Sequence, residues 1–418
     1  MPFNQKKSKL SLIVFSHTPG LDGAGRSLLD MVRGLLAHGA TCHVVFPRSC
    51  PLSEAAQQLN YSVSIAPPML AKHWLWVRPH ENHDVFDDAL LTQLIQSLKG
   101  LLIPSMGLLQ PDFIVSQTIA SPWGSVCAEL MNIRHVLCPR EYGRSEHNVN
   151  FSYQRAPSLM AMCKSSDQLF CVTDDVCQHL FEERGMQKNI STYHSIQLDR
   201  TYAHSALDCI DTASWCIAQL GSITEGKGQL DLIRAVIALS RKGYFLRCYF
   251  VGSVADQKYK ELLDRTISES GFCNRFVFMP NTLHPYPIIS ALDVLVSCAR
   301  FEGLGRTLFE AILLDVPIVY VNSGGPAVVF KNDVHGLSYE SGDFLHLAEA
   351  LRLSLTRNFS TNERVVAAKN YVESCFTDTT FGGVVYNRLL HLLVLDEPLS
   401  RGAEMPVLTL LMSNVGAT

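Results

Sequence analysis

Short, continuously apolar runs alternate with longer stretches of helical spacing along nearly the whole chain. SLIVFS at 11–16 is the first run. Leu28, Leu29, Met31, Val32, Leu35 and Leu36 then recur on one helix face, and Gly39 supplies a stop. HVVF (43–46) follows, closed by Pro47, and DFIVS (112–116), HVLC (135–138) and QLFCV (168–172) have the same character. Runs that are apolar at every position, rather than at alternate ones, mark parallel strands covered on both faces. The pattern predicts a doubly wound α/β domain.

The pattern then restarts. WCIAQLG (215–221) runs into a Gly-containing turn, and a helix is predicted from Gln229 to Lys242. LRCYFVG (246–252), FVFM (276–279), VLVS (294–297) and PIVYV (317–321) follow with helices between, which predicts a second α/β domain. The polar segment near 195–213 reads as a linker. Two such domains are expected to leave a cleft at the carboxyl ends of their strands, where helix N-termini and loops converge on ligands. A last helix is predicted over 381–395. The apolar run PVLTLLM (406–412) in the tail after it would dock either on the body or on another subunit.

Composition narrows the function classes. In 418 residues, Lys plus Arg is 35 and Asp plus Glu is 39, a net charge of −4. That excludes a basic binder driven by phosphate neutralisation, and no nucleic-acid partner is expected. Hydrophobic residues make up 47% and charged residues 18%, which provides for large cores and excludes a solvated, disordered chain. The 13 cysteines include no Cys-x-x-Cys pair and read as small buried residues in a reducing cytoplasm. The apolar run after the polar start is too short for a signal peptide and reads as a first strand. No stretch reaches the ~18–20 apolar residues of a membrane span.

The most informative segment is SCARFEGLGRTLFEAILLD (297–315). Glu302 falls in the loop after a strand, a helix is predicted to start near Gly305, and Glu310 lies about one and a half turns into it, directed back toward its start. Gly305 permits close approach of a ligand. Arg306 and Thr307 occupy the first turn, where a cation opposes the helix dipole unless an anion binds. The arrangement fits a phosphate at the helix start and two carboxylates accepting from sugar hydroxyls. An ordinary helix with a surface Arg and two solvated Glu is the alternative. Lys227-Gly228, after the strand ending at Gly221, places a point charge within reach of a diphosphate, or is a surface Lys in a flexible loop. Gly324-Gly325 after PIVYV permits close backbone approach, or is a plain turn. Gly23-x-Gly25 after the first strand lacks the full dinucleotide fingerprint, and no ribose-binding acid follows the second strand. A nicotinamide enzyme is therefore disfavoured.

In their order, Gly221…Lys227-Gly228, Glu302-x7-Glu310 and Gly324-Gly325, preceded by the Gly23–Gly25 segment, resemble the retaining GT-B glycosyltransferases of glycosyltransferase family 4. The resemblance covers about 10–395. It implies two Rossmann-like doubly wound domains facing a cleft: an acceptor-side domain over 1–195, a linker over 196–213 and a nucleotide-sugar-binding domain over 214–375. A helix over 376–397 would cross back to the first domain, and 398–418 is an extra tail. It implies that Glu310 holds ribose hydroxyls and that Lys227 with the amides around Gly305, Arg306 and Thr307 holds the diphosphate. Glu302 would contact the donor hexose, and the loop carrying Gly25 would close over donor or acceptor, with Gly324 and Gly325 completing the donor site. Glu141, beside Arg140 after HVLC, would face the reacting sugar, or would be a surface Glu paired with Arg140 or Arg144.

The implied activity is retaining hexosyl transfer from a nucleotide diphosphate sugar, without a cofactor, to a glycan or lipid-linked acceptor in surface polysaccharide or lipopolysaccharide synthesis. No Asp-x-Asp occurs, so transfer without a metal is expected. The chain is expected in the cytoplasm, with peripheral contact on the inner membrane left open. Lys72–His80 (KHWLWVRPH) mixes Trp74 and Trp76 with basic residues, which suits a membrane interface or a lipid-linked acceptor, or ordinary packing. His80, His83 and Asp84 read as a solvated loop rather than a metal site. Two departures stand out from the family pattern: Ser222 where many members carry Arg, and Val328 near where many carry Glu. They keep two alternatives in view, a sugar-nucleotide epimerase of the same fold and a non-catalytic sugar-nucleotide-binding assembly subunit.

Overall fold

The computed structural model describes residues 9–16, 23–75, 77–78, 88–143, 150–151, 154–190, 196, 214–282, 284–356, 359–376, 378–394 and 399–413. The linker expected at 196–213, Ile196 apart, lies outside them, as do Trp76, His80, His83 and Asp84. The chain forms two compact units. One comprises Met1–Arg144, Asn148–Ser195 and Asp378–Thr418; the other comprises Ser145–His147 and Ile196–Thr377.

The first unit is built on a six-stranded parallel sheet: β1 (Ser11–Phe15), β2 (Thr41–Phe46), β3 (Ser62–Ile65), β4 (Phe113–Ser116), β5 (Arg134–Leu137) and β6 (Gln168–Leu169). Its order, β3-β2-β1-β4-β5-β6, is that of a dinucleotide-binding sheet. β4 is buried at every position, as its uninterrupted apolar run requires. β3 (SVSI) escapes the apolar-run criterion because it is an edge strand with alternating Ser and no fully buried residue.

Helix α1 (Gly23–Ala37) covers this sheet, and Gly23–Gly25 form its first turn rather than the loop expected. Helix propensity charges Gly only about 1 kcal/mol against Ala, too little to outweigh the buried stripe from Leu28 to Leu35. Trp74 is likewise core rather than membrane-facing. Its ring stacks on Phe15 at 5.8 Å, and its buried indole N–H, which needs an acceptor, donates to the Ser16 carbonyl at 2.8 Å. Helices α2 (Trp123–Met131) and α3 (Arg155–Ser165) also belong to this unit.

The second unit repeats the plan: β7 (Trp215–Leu220), β8 (Leu246–Val251), β9 (Phe276–Met279), β10 (Val294–Ser297), β11 (Ile318–Val321) and β12 (Leu337–Tyr339) pair in parallel in the order β9-β8-β7-β10-β11-β12. The three-residue edge strand β12 is too short to register as an apolar run. Helix α4 (Gln229–Arg241) follows β7, α5 (Arg306–Leu313) follows β10, α6 (Gly324–Val329) follows β11 and α7 (Phe344–Leu355) follows β12. Leu232, Val236 and Leu239 of α4 and Leu347 and Leu351 of α7 close one core over this sheet. Each such side chain, taken from water, contributes about 1.5–3 kcal/mol.

Helix α8 (Asp378–Val394) returns to the first unit. Phe381, Val385, Leu389 and Leu392 enter its core on one helical stripe. α8 crosses α1 so closely that a Cβ on Gly382 would lie 2.4 Å from the Gly34 carbonyl carbon. The tail docks on the same unit, the first of the two placements its apolar run allowed. Helix α9 (Pro406–Ser413) packs on α3 and α2, and the Val407 and Leu408 amides each donate to the Glu129 carboxylate at 2.9 Å. Buried Arg401 donates to the carbonyls of Ala128 and Ile133, and the Ser400 amide donates to Asp167. The described cysteines are free, and all but Cys273 and Cys375 are buried.

Candidate active site

In the second unit β7 and β10 lie side by side, but the chain leaves β7 toward β8 and leaves β10 toward β11. Such a reversal opens a crevice at the carboxyl ends of the strands. Lys227 follows β7 and Glu302 follows β10, so topology alone brings them to that crevice. Glycine contacts then fix the loops. Gly228 adopts φ +67°, and a Cβ there would come 2.3 Å from the Cys298 carbonyl oxygen, so the Lys227-Gly228 turn sits directly on the end of β10. The Gln219 amide donates to the Lys227 carbonyl at 2.6 Å. Gly325 donates its N–H to the Glu302 carbonyl at 2.7 Å, and a Cβ there would lie 2.1 Å from the Gly303 carbonyl oxygen. The close approach that Gly325 permits is thus used by the neighbouring loop. Gly324 opens α6 with φ +63°.

Helix α5 begins where the Glu302–Gly305 spacing predicts. Gly305 is its N-cap in the left-handed region and supplies no side-chain cap. Thr307 is half-buried in that turn. Leu308, Phe309, Ala311 and Ile312 anchor the helix, with the Phe309 ring 4.8 Å from both Phe330 and Phe376.

The four charged residues meet in two pairs. Lys227 Nζ lies 2.7 Å from Glu302 Oε2, their side chains 14% and 21% exposed. Arg306 Nε donates to Glu310 Oε1 at 3.0 Å, and the Glu310 side chain is only 1% exposed. Glu310 is therefore not the solvated carboxylate of the alternative reading. A buried carboxylate needs a charged or hydrogen-bonding partner, and Arg306 serves. The same pairing offsets the unfavourable cation at the helix start. Arg306 and Glu310 stand at i,i+4, a spacing at which such pairs form on a helix, whereas Lys227 and Glu302 are 75 positions apart and no local spacing supplies their pair. Chemically, the cluster offers two cations and the positive end of a helix to an anion, and two carboxylates to hydroxyl donors.

Glu141 stands apart, in the first unit. Its Oε1 accepts from Thr118 Oγ1 and from the Ile119 N–H, and its Oε2 accepts from the Arg140 N–H. It thereby ties the loop after β5 to the loop after β4. The Arg140 guanidinium lies by the Ala24 carbonyl, in the first turn of α1 with buried Gly25. Among the described residues no group of three or more His, Cys, Asp or Glu is placed to hold a metal, and no helix is long and apolar enough to cross a membrane.

Residues 21–195 match the family model of glycosyltransferase family 4, and residues 210–371 match that of glycosyl transferases group 1. The chain belongs to the GT-B glycosyltransferases. The capsular polysaccharide biosynthesis glycosyltransferase CapM of Staphylococcus aureus is 24% identical over 164 residues, 38% of this chain and 41% of CapM. A 2-deoxystreptamine glucosyltransferase of Streptomyces kanamyceticus is 31% identical over 112 residues, 26% of this chain and 28% of that enzyme. The alignments thus span less than half of either relative. Among solved structures, HepE of Anabaena in complex with UDP superimposes with a TM-score of 0.70 at 16% identity, covering 92% of this chain and 100% of HepE. A glycosyltransferase from Rickettsia africae gives 0.72 at 15% identity, covering 92% and 99%. These likenesses fix the two-unit GT-B fold of this family member.

Proposed function

We propose that the chain transfers a hexose from a nucleotide diphosphate sugar to a glycan or lipid-linked acceptor, with retention at the anomeric carbon and without a metal, in surface polysaccharide synthesis. The observation that carries this reading is the convergence of Lys227, Glu302 and the N-terminus of α5, with Glu310 behind it, at the β7/β10 reversal. The resemblance to CapM and the UDP bound in HepE support it.

In this reading the bond from the anomeric carbon to the diphosphate breaks as the acceptor oxygen bonds on the same face, and the acceptor hydroxyl proton passes to the departing diphosphate oxygen. Lys227 and the amides at Arg306 and Thr307 hold the departing diphosphate; fixed donors aimed at developing charge are the main source of rate in such a site. Glu310 accepts from the ribose hydroxyls and Glu302 from the hexose.

Thermal unfolding is measured with UDP, GDP, ADP, CMP and their sugars in metal-free buffer, for the wild type, Lys227→Ala and Glu310→Ala. A ligand at ~100 times its Kd adds about 2.7 kcal/mol. A shift with one nucleotide, lost in both variants, is expected; no shift with any nucleotide overturns the donor site. Binding without transfer to any acceptor would favour the assembly subunit, and conversion of the donor sugar without an acceptor would favour the epimerase.

A further inference from the structure

We infer that Glu302 is an internal competitor for the diphosphate: it pairs with Lys227 and yields only to a ligand that brings sugar hydroxyls, so the site favours a nucleotide sugar over the bare nucleoside diphosphate. This rests on the donor-site reading above and goes beyond it, because it assigns to the same residues a preference between substrate and product.

The geometry carries the inference. The Lys227–Glu302 pair is 2.7 Å long and largely withdrawn from water. Its two backbones are separately anchored, Gly228 against the Cys298 carbonyl and Glu302 through its carbonyl to the Gly325 amide. Separating the charges therefore requires rotation of side chains and no movement of the loops. Lysine, a point charge on a flexible four-carbon stem, is suited to such an exchange.

A diphosphate drawn to Lys227 arrives beside the carboxylate that already holds it. Like charges brought together in a partly desolvated crevice repel more strongly than in bulk water. A nucleotide sugar offsets this by giving Glu302 hydroxyl donors in exchange for the ammonium. The nucleoside diphosphate has no hexose to offer and carries one more negative charge. After transfer, the carboxylate is left facing the product, and its return to Lys227 expels it.

The test is isothermal titration of wild type, Glu302→Gln and Glu302→Ala with one nucleoside diphosphate and its sugar, using the base to which the wild type responds. Glu302→Gln keeps the side-chain volume and removes the charge. The expected result is an increase of about tenfold in affinity for the diphosphate, about 1.4 kcal/mol, with a smaller rise or a fall for the nucleotide sugar. Glu302→Ala, in which the residue 302 carbonyl still anchors the loop, is expected to show the same rise for the diphosphate. Adding Lys227→Ala to either variant is expected to abolish the gain. If the wild type binds nucleotide but the ratio of the two affinities stays within about twofold in both variants, the inference is overturned and the donor site stands. If the wild type binds neither ligand, the donor-site reading itself fails.

Discussion

Glu129 and Glu310 invite comparison. Both are carboxylates on helices, in α2 of the first unit and α5 of the second, and both are almost wholly buried, at 2% and 1% exposure. Their partners differ. Glu129 accepts from two backbone amides at the start of α9, donors that cannot leave unless the tail leaves with them. Glu310 accepts from the side chain of Arg306, one turn earlier on its own helix and beside the open crevice. Burial of a charge therefore does not by itself mark a functional site. A carboxylate held by fixed backbone donors serves the fold, whereas one held by a rotatable side chain can exchange that partner for a ligand.

The largest effect expected from this contrast is at Glu129. Glu129→Ala leaves two buried amides unpaired and removes one of the two carboxylates beside Arg401, Asp167 at 4.0 Å being the other, at a cost of about 3 kcal/mol. Urea unfolding should register the loss, limited proteolysis should show the tail released, and nucleotide affinity should be unchanged. A loss below about 1 kcal/mol would remove the distinction.

The next is an acid dependence led by His135 in the first unit. His135 is fully buried among Ser116, Ser125 and Ser166, and burial, helped by the charge of Arg401, holds its pKa down to about 3. The unfolded imidazole takes a proton below about pH 6.5 while the folded one does not. Stability is therefore lost as pH falls from about 6.5 toward 3, at up to about 1.4 kcal/mol per pH unit, or about 2 kcal/mol by pH 5. Glu129 has the opposite sign: burial raises its pKa, so the folded state takes up the proton more readily and that contribution gains as pH falls. Urea midpoints between pH 7 and 5 should fall for the wild type and flatten for His135→Asn.

The smallest is at Glu310. Glu310→Gln keeps an acceptor for Arg306, so the stability cost should stay near 1 kcal/mol. In the donor-site reading, donor affinity should fall about tenfold, because the charged acceptor proposed for the ribose is gone. If unfolding shifts as far as for Glu129→Ala while affinity holds, the two carboxylates play the same role.

The central strands of both sheets were legible because β1, β4, β7 and β10 are apolar throughout, as strands covered on both faces must be. The edge strands β3 and β12 were not, one because serines interrupt it and the other because three residues carry too little pattern. The candidate site was legible as spacing: Glu302, Gly305 and Glu310 stand where a strand, a loop and a helix start put them. The Lys227–Glu302 pair was not, since the two are 75 positions apart and meet only through the strand order. Gly325 was noticed for the room it gives a ligand, yet that room is filled by the Gly303 carbonyl of the neighbouring loop. Glycines between strands and helices report close approach without saying what approaches. The tail was readable as apolar, but its docking depends on Glu129, Asp167 and Arg401, whose convergence no local pattern encodes.

The return of α8 to the first unit has a consequence for biosynthesis. That unit contains residues on both sides of the second, so its sheet emerges from the ribosome well before residues 378–413 exist. At about 5–20 residues per second, the intervening residues take on the order of ten seconds or more to make. Until then the face of α1 around Gly34, later covered by α8, is open to water. The second unit has all its strands in one continuous stretch and can fold meanwhile. The order of maturation should thus run against the order of translation, with the half synthesised first completed last and most in need of chaperone cover while it waits.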